Sequence, residues 1–138
     1  MRRNRARRGA SIIELVLIAP WVFFLFIGAL DWGFYASALI SVEAAARSAA
    51  LYTSTSAAAS SDSTTARTIV VNELANVPNV TASNPVVTAT ALTGAASPDG
   101  SAATQVSVQY TTISLIPIPG LLKQQFTFTR TVTMRVRT

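Results

Sequence analysis

The hydrophobic positions fall into one long apolar run near the start of the chain and several short alternating runs near its end. Residues 11–30 carry a single charged side chain, Glu14, and the next charge after it is Asp31. About 20 helical residues rise about 30 Å, which is the thickness of the hydrocarbon core of a bilayer. This part of the sequence therefore predicts one transmembrane helix over residues 10–30.

The helical pattern continues beyond this run. Apolar positions recur there at alternating spacings of three and four residues, which is typical of a helix that packs along one side. These positions are Trp32, Tyr35, Leu39, Val42, Ala46 and Ala49. We expect one helix from about Ser11 to Tyr52, with residues 31–52 outside the membrane. The alanines of this outer half would let another helix or a sheet approach closely.

A polar, low-complexity segment over residues 53–64 follows the long helix and is interpreted as a linker. The remaining residues, 65–138, predict a small head. Its first element is a short helix from Thr65 to Asn76, and Pro78 would end that helix.

The rest of the head is rich in threonine and valine, and its apolar and polar residues alternate, which favours strands. The candidate strands cover residues 86–93, 105–110 and 126–136. Arg130 falls on the apolar side of the last strand, which predicts a bulge or the end of the sheet. The fold class is therefore α+β, with a long N-terminal helix packed against an antiparallel sheet of about three strands, plus one short helix.

The net charge of +5 belongs to the start of the chain. Five of the eleven basic residues precede Gly9, and from Ala10 onward the charged side chains sum to zero. Arginines beside a transmembrane segment keep that end in the cytoplasm. Since no basic patch with interleaved aromatic residues follows, we expect no nucleic-acid partner.

The composition also excludes several kinds of chemistry. The chain has no cysteine and no histidine, which removes disulfide scaffolds, thiolate or imidazole metal sites and histidine-based nucleophile activation. Asp62, Glu73 and Asp99 are scattered over the linker, the short helix and a turn. We therefore expect no enzyme activity, no catalytic residues, no metal, no cofactor and no small-molecule substrate.

The segment "RRGASIIEL" joins basic residues to a glycine, four uncharged residues and a glutamate. This arrangement resembles the class III prepilin leader, which a prepilin peptidase removes on the cytoplasmic face of the membrane. The resemblance implies that residues 1–9 are a leader and that the cut falls between Gly9 and Ala10. Glu14 would then be the fifth residue of the mature chain.

Further features resemble the TadE-like pseudopilins, the minor pilins of tight-adherence (Flp) type IV pili. These features are the glycine-to-glutamate spacing, Pro20 midway through the apolar run, and the stretch "VEAAARSAALY" after it. The family's usual second arginine is replaced by Leu51, so its role does not carry over. The resemblance implies a pilin-like fold and a function in pilus assembly. It also implies, as partners, a prepilin peptidase, other pilin and minor pilin subunits and the assembly platform of the inner membrane.

The resemblance gives Glu14 a role as the partner of the free N-terminal amine of a neighbouring subunit. A carboxylate within a membrane costs about 2–3 kcal/mol, so either a cationic partner or an interfacial position is expected. The alternative is that Glu14, about one turn from the start of the mature helix, reaches the cytoplasmic headgroups.

Two other residues keep two interpretations each. Pro20 lacks an N–H and would leave the carbonyl of Val16 without its helical partner. It is either a kink used in assembly or a tolerated transmembrane proline. Arg47 either forms an exposed intrahelical pair with Glu43 or contacts another subunit.

The sequence is compatible with three ways in which the chain could be processed and located. The first is a processed single-pass inner-membrane protein whose cytoplasmic N-terminus is removed and whose head lies outside. The second is an unprocessed membrane protein whose head binds an envelope partner. The third is a Sec-secreted β-rich protein cut after Ala38, where "ASA" resembles a signal-peptidase site. The mature chain would begin at Ala10, Met1 or Leu39 respectively.

Overall fold

A computed structural model of the chain describes residues 3–97, 99–113 and 125–137. For residues 3–11 and Ala95 it describes the backbone alone. Met1 and Arg2 of the predicted leader and the proline-rich stretch at residues 115–120 lie outside the described residues. The chain divides into two compact units, a first unit over residues 1–34 and a second unit over residues 35–138.

The first helix, α1, extends over Arg3–Thr53 and contains Pro20. It begins eight residues before the predicted start at Ser11. Arginine and alanine, which fill the leader, are among the best helix formers, and a single glycine lowers helix stability by only about 1 kcal/mol. The helical pattern therefore extends through Gly9 into the leader.

The other end of α1 is capped by hydroxyl groups from its own last turn. Thr53, Ser54 and Thr55 donate to the carbonyls three residues before them, at 3.2, 2.8 and 2.7 Å. The last carbonyls of a helix have no partner within the helix, so these hydroxyls satisfy groups that would otherwise need water.

Large apolar side chains cover the surface of α1 in the first unit. Within residues 12–30 Ile27 is half-buried, and the exposed fractions of the others range from 48% at Phe24 and Leu30 to 74% at Trp21. Among the described residues, α1 is the one helix that is long and apolar enough to cross a membrane, with a mean hydropathy of 2.4 in its most apolar window. This helix is compatible with a single-pass membrane protein.

The second helix, α2, extends over Ser63–Glu73, two residues earlier at its start and three residues earlier at its end than predicted. The start is set by Asp62, whose carboxylate accepts hydrogen bonds of 3.1 Å from the backbone N–H groups of Thr64 and Thr65. At the other end the chain turns, because the N–H of Val77 donates to the carbonyl of Leu74 at 2.8 Å. A side-chain cap and a turn, rather than Pro78, therefore bound α2.

Three antiparallel strands form one sheet in the order β1, β2, β3. β1 is Val86–Leu92, β2 is Ala103–Thr111 and β3 is Thr127–Arg135. The predicted α+β fold, with a long helix, a short helix and a three-stranded antiparallel sheet, is confirmed. The bulge or sheet end predicted at Arg130 is wrong, since Arg130 faces Val108 within an unbroken β2–β3 register.

One face of the sheet packs against α1 and α2. Val106, Val108 and Tyr110 of β2 are almost fully buried there. Four alanines of α1 that have no solvent-accessible surface meet them, namely Ala45, Ala46, Ala49 and Ala50. Because an alanine side chain extends no further than its Cβ atom, α1 lies close to the strands along its second half. The close approach that the alanines predicted is made to the chain's own sheet.

The opposite face of the sheet carries hydroxyl and amide side chains. Ser107 accepts a hydrogen bond from Thr131 at 3.3 Å, and the hydroxyls of Thr111 and Thr127 are 3.0 Å apart. Short polar side chains paired across strands hold the register on this face without apolar packing. On the described strands the face also includes Thr88, Thr90, Gln105, Gln109, Thr129 and Thr133, with Arg135 at its end.

Two asparagines in the loop between α2 and β1 form hydrogen bonds with the end of β2. Asn79 has a positive φ of 66° and donates from Nδ2 to the carbonyls of Thr111 and Thr112, at 2.9 and 3.2 Å. Asn84 donates to the carbonyls of Asn79 and Thr111 and accepts from the Thr111 N–H at 3.0 Å. The side-chain amides thus replace a strand partner at this point.

The alanine contact predicts a strong dependence on side-chain size. Ala49→Leu inserts three carbon atoms into a closely packed site, and we expect a loss of about 1–3 kcal/mol in the free energy of unfolding. The matched control is Ala44→Leu, at an exposed position of the same helix, where we expect a change within about 0.5 kcal/mol. Urea unfolding of the full chain in detergent micelles, followed by circular dichroism, measures both. Equal stability of the two variants would contradict close packing at Ala49.

The cap of α2 predicts a dependence on pH. Hydrogen bonding from Thr65, with smaller contributions from Tyr52 and Thr64, lowers the pKa of the Asp62 carboxyl below its ordinary value of 3.8. A lowered pKa stabilises the folded state above pH 3.8, and this stabilisation is lost as the pH falls through the folded pKa.

Asp62→Asn keeps an acceptor but cannot ionise, so we expect a lower Tm than wild type at pH 7 and a smaller difference below pH 3.8. Thermal unfolding between pH 7 and pH 2 measures the difference. Asn72→Ala, at an exposed position of α2 whose side chain does not titrate, serves as the control, and its Tm difference from wild type should not change with pH. A constant Tm difference between wild type and Asp62→Asn at every pH would refute this role.

Candidate functional site

Four of the predicted site residues follow one another along the first unit. The backbone of Gly9 and Ala10 is helical, so the peptide bond between them lies inside α1 rather than at its start. Glu14 and Pro20 follow on the same helix. Arg47 lies on the part of α1 that belongs to the second unit.

Glu14 presents its carboxylate to the surroundings of the helix. Its side chain is exposed and forms no hydrogen bond or ion pair with the side chains described from residue 12 onward. Glu14 lies four positions after Ala10, and residues four apart on a helix lie on the same face, about 5–6 Å apart at their Cβ atoms. The carboxylate is therefore one turn from the atom that cleavage before Ala10 would turn into a free amine.

The part of α1 on either side of Pro20 carries an apolar surface. A shallow groove of about 440 Å³ is lined by Leu15, Ile18, Ala19, Val22, Phe23 and Phe26. Such a surface has no donor or acceptor with which to orient a polar ligand, so it can make only van der Waals contacts with lipid or another apolar helix. The first unit thus combines an exposed carboxylate, Glu14, with an apolar helix surface.

Arg47 forms the exposed intrahelical pair that the sequence predicts. Its guanidinium donates to Glu43 at 2.5 Å, and the two side chains are 64% and 41% exposed. An exposed pair of this spacing contributes about 0.3–0.5 kcal/mol, so Arg47 is held only weakly. It remains accessible from outside the molecule.

A groove around Arg130, beside Glu43 and Arg47, is a further candidate site that the sequence did not predict. The guanidinium of Arg130 shares a groove of about 580 Å³ with Glu43, Arg47 and the other β3 residues 129–133. The Arg130 Nε atom is buried and has no hydrogen-bond acceptor among the described residues. The signal was an arginine on the apolar side of an alternating strand. This pattern predicts a break in the sheet, whereas in the structure Arg130 is a charged residue at the edge of the core.

The described side chains include no group of three His, Cys, Asp or Glu residues that could hold a metal ion. What the described geometry offers is charge recognition, through the exposed Glu14 carboxylate and the cationic groove around Arg130.

The family comparison concerns α1. The model of the TadE-like protein family matches residues 9–51, which is less than a third of the chain. The match begins at the glycine of the predicted cleavage site and ends at Leu51, so it covers the apolar run, Pro20 and the alanine-rich half of α1. The resemblance predicted from the sequence is confirmed over this part, and it supports an association with the tight-adherence pilus system and a membrane. No curated protein and no solved structure matches the chain.

Proposed function

We propose that this chain is a TadE-like minor pilin that acts in the assembly of a tight-adherence pilus. The family match that begins at Gly9 and includes Glu14 carries this proposal. In it, α1 crosses the inner membrane once, residues 1–9 start in the cytoplasm and the head lies outside. The partners are a prepilin peptidase, other pilin and minor pilin subunits and the inner-membrane assembly platform.

The proposed orientation follows from the distribution of charge and apolar surface. Five arginines precede Gly9, and moving them across a bilayer would be costly, which favours a cytoplasmic start. The exposed apolar side chains of residues 12–30 are stabilised by lipid. The head, whose described outer sheet face is polar, is suited to an aqueous compartment.

Cleavage between Gly9 and Ala10 is the step that would activate the chain. Because this bond lies in a helix, a peptidase must open the helix locally before it can cut. Gly9 lowers the cost of opening, since glycine is about 1 kcal/mol less favourable than alanine inside a helix. The glycine thus makes the cutting point the weakest part of the leader helix.

Removal of the leader would also change the surroundings of Glu14. In the uncut chain Glu14 lies in the interior of α1, more than ten residues from its start at Arg3. After the cut it would lie in the second turn of the new helix, near free N–H groups and the positive end of the helix dipole. In apolar surroundings its carboxylate and the Ala10 amine of a neighbouring subunit would each relieve the burial of the other charge.

One alternative history is disfavoured by the second unit. Ala38 is 7% exposed and belongs to the buried cluster that joins α1 to the sheet. A signal-peptidase cut after Ala38 would remove this contact together with the preceding residues of α1. The unprocessed membrane protein with an envelope-binding head stays as the second candidate, since it keeps the whole helix.

The mature N-terminus distinguishes these candidates. We expect mass spectrometry of the chain from wild-type cells to give a first residue of Ala10, and from cells without the prepilin peptidase to give Met1. Gly9→Leu in wild-type cells should block processing, while Ala6→Leu, which introduces the same side chain earlier in the leader, should not. An uncut chain in both strains would exclude processing and favour the second candidate.

The role of Glu14 predicts a loss of pili without a loss of processing. Glu14→Gln keeps the shape of the side chain and removes its charge, so we expect at least about a tenfold fall in pilus number, because the amine of the neighbour loses its partner. Glu14→Asp keeps the charge and should retain part of the assembly. Pilus counts by electron microscopy, with mass spectrometry of the same cells, provide the measurement. Wild-type pilus numbers in Glu14→Gln would remove Glu14 from the mechanism.

A further inference from the structure

Two charged side chains of the second unit have unfavourable surroundings in the single chain. Arg130 is a half-buried cation with a buried Nε that meets no acceptor among the described residues. Glu73 is a carboxylate at the last residue of α2, where the negative end of the helix dipole opposes it. Neither has a partner of opposite charge among the side chains that the structure describes.

The environment of Arg130 is built for an anion. Arg130 lies at the middle of β3 on the same face as Phe128 and Val132, both of which pack against the core. The groove around it contains one carboxylate, Glu43, and that carboxylate is already bridged to Arg47. The groove therefore has an excess of positive charge. A guanidinium presents its N–H groups as a planar fork, which matches the two oxygens of a carboxylate.

The position of β3 makes this groove accessible. β3 pairs with β2 along one side, and it forms one edge of the described sheet. The groove opens between this edge and the rim of α1 at Glu43 and Arg47. A side chain from another molecule can enter it there without displacing a strand.

Three of the six acidic side chains of the chain already have partners. Asp62 caps α2, Asp99 accepts hydrogen bonds from Ser97 and Ser101, and Glu43 pairs with Arg47. Asp31 is buried and Glu14 lies in the apolar part of α1. Glu73 is exposed and has no hydrogen bond or ion pair among the described residues. Among the described side chains of the second unit, Glu73 is the exposed carboxylate without a partner, and it is therefore available to another copy.

The two charges lie at opposite edges of the sheet. α2, which ends at Glu73, packs against β1, and the hydroxyl of Ser63 in its first turn bonds to Ala89 of β1. Arg130 lies on β3, at the other edge of the sheet. A chain cannot bring these two edges together within itself, but two copies placed side by side can.

We propose that Glu73 of one copy inserts its carboxylate into the groove between α1 and β3 of a second copy and pairs there with Arg130. Because the two surfaces are different, the contact is heterologous and repeats from copy to copy, into a ring or an open row, rather than closing into a two-fold dimer. The contact does not involve residues 1–9, so it stands even where the test of cleavage fails.

Charge reversal in the full chain in detergent micelles tests the pair. We expect Arg130→Glu or Glu73→Arg alone to lower the association constant at least about tenfold, since each places like charges opposite one another. The double variant Arg130→Glu/Glu73→Arg should restore association, because the pair is rebuilt with its signs exchanged. Sedimentation equilibrium measures the constant, and circular dichroism verifies the fold of each variant.

The control is Arg135→Glu, which changes the same charge on the outward face of the same strand. We expect it to leave association within about twofold of wild type. Loss of association in Arg130→Glu without loss in Glu73→Arg would assign the groove to a different carboxylate and overturn the proposal. Failure of the folded double variant to recover would overturn it as well.

Disulfide trapping provides a second measurement that keeps both charges. The chain has no cysteine, so Asn72→Cys in one copy and Thr131→Cys in another introduce one thiol beside each charge, both at exposed positions. We expect oxidation of the mixture to give the mixed dimer, and adding Arg130→Glu to the second copy to abolish it. A mixed dimer that forms equally with Arg130→Glu, or that does not form with wild-type charges, would contradict the contact.

Discussion

The close contact between the alanines of α1 and one face of the sheet is the interaction on which the rest of the second unit depends. A single three-stranded sheet has two faces and needs a cover for one of them to exclude water. Val42, Ala46 and Ala49 supply that cover together with α2, and they leave room for Tyr110 and the valines of β2. The same helix that carries the apolar surface of the first unit therefore also supplies part of the core of the second unit.

The predictable part of the fold is the part set by local pattern. Alternation along β2 and β3 identified both strands, and the unbroken apolar run identified α1, because period and length are properties of the segment itself. The bounds of α2 were predicted less well. They depend on which carboxylate caps the helix, and Asp62 takes that role through a side chain that periodicity does not detect.

The candidate site divides in the same way. Gly9, Ala10 and Glu14 were found from their spacing, since a cleavage signal and one helical turn are local features. The pairing of a charged side chain with another molecule is not a local feature. The alternation along β3 does not show whether a charged residue in its apolar row stays in the sheet or ends it. For Arg130 the answer came from the β2–β3 register, which continues past it without a shift. A polar residue in the apolar row of a strand therefore indicates a contact with a neighbouring molecule rather than a break in the sheet.

The outer face of the sheet has a consequence for where the protein can work. It is covered mainly by hydroxyl and amide groups, with Arg135 as the charged side chain among those described on the three strands. Groups of this kind do not titrate between acidic and alkaline water, and dissolved ions do not screen them. The hydration of this face therefore changes little with salt concentration or with pH. A surface of that kind suits a molecule exposed to whatever medium surrounds the cell.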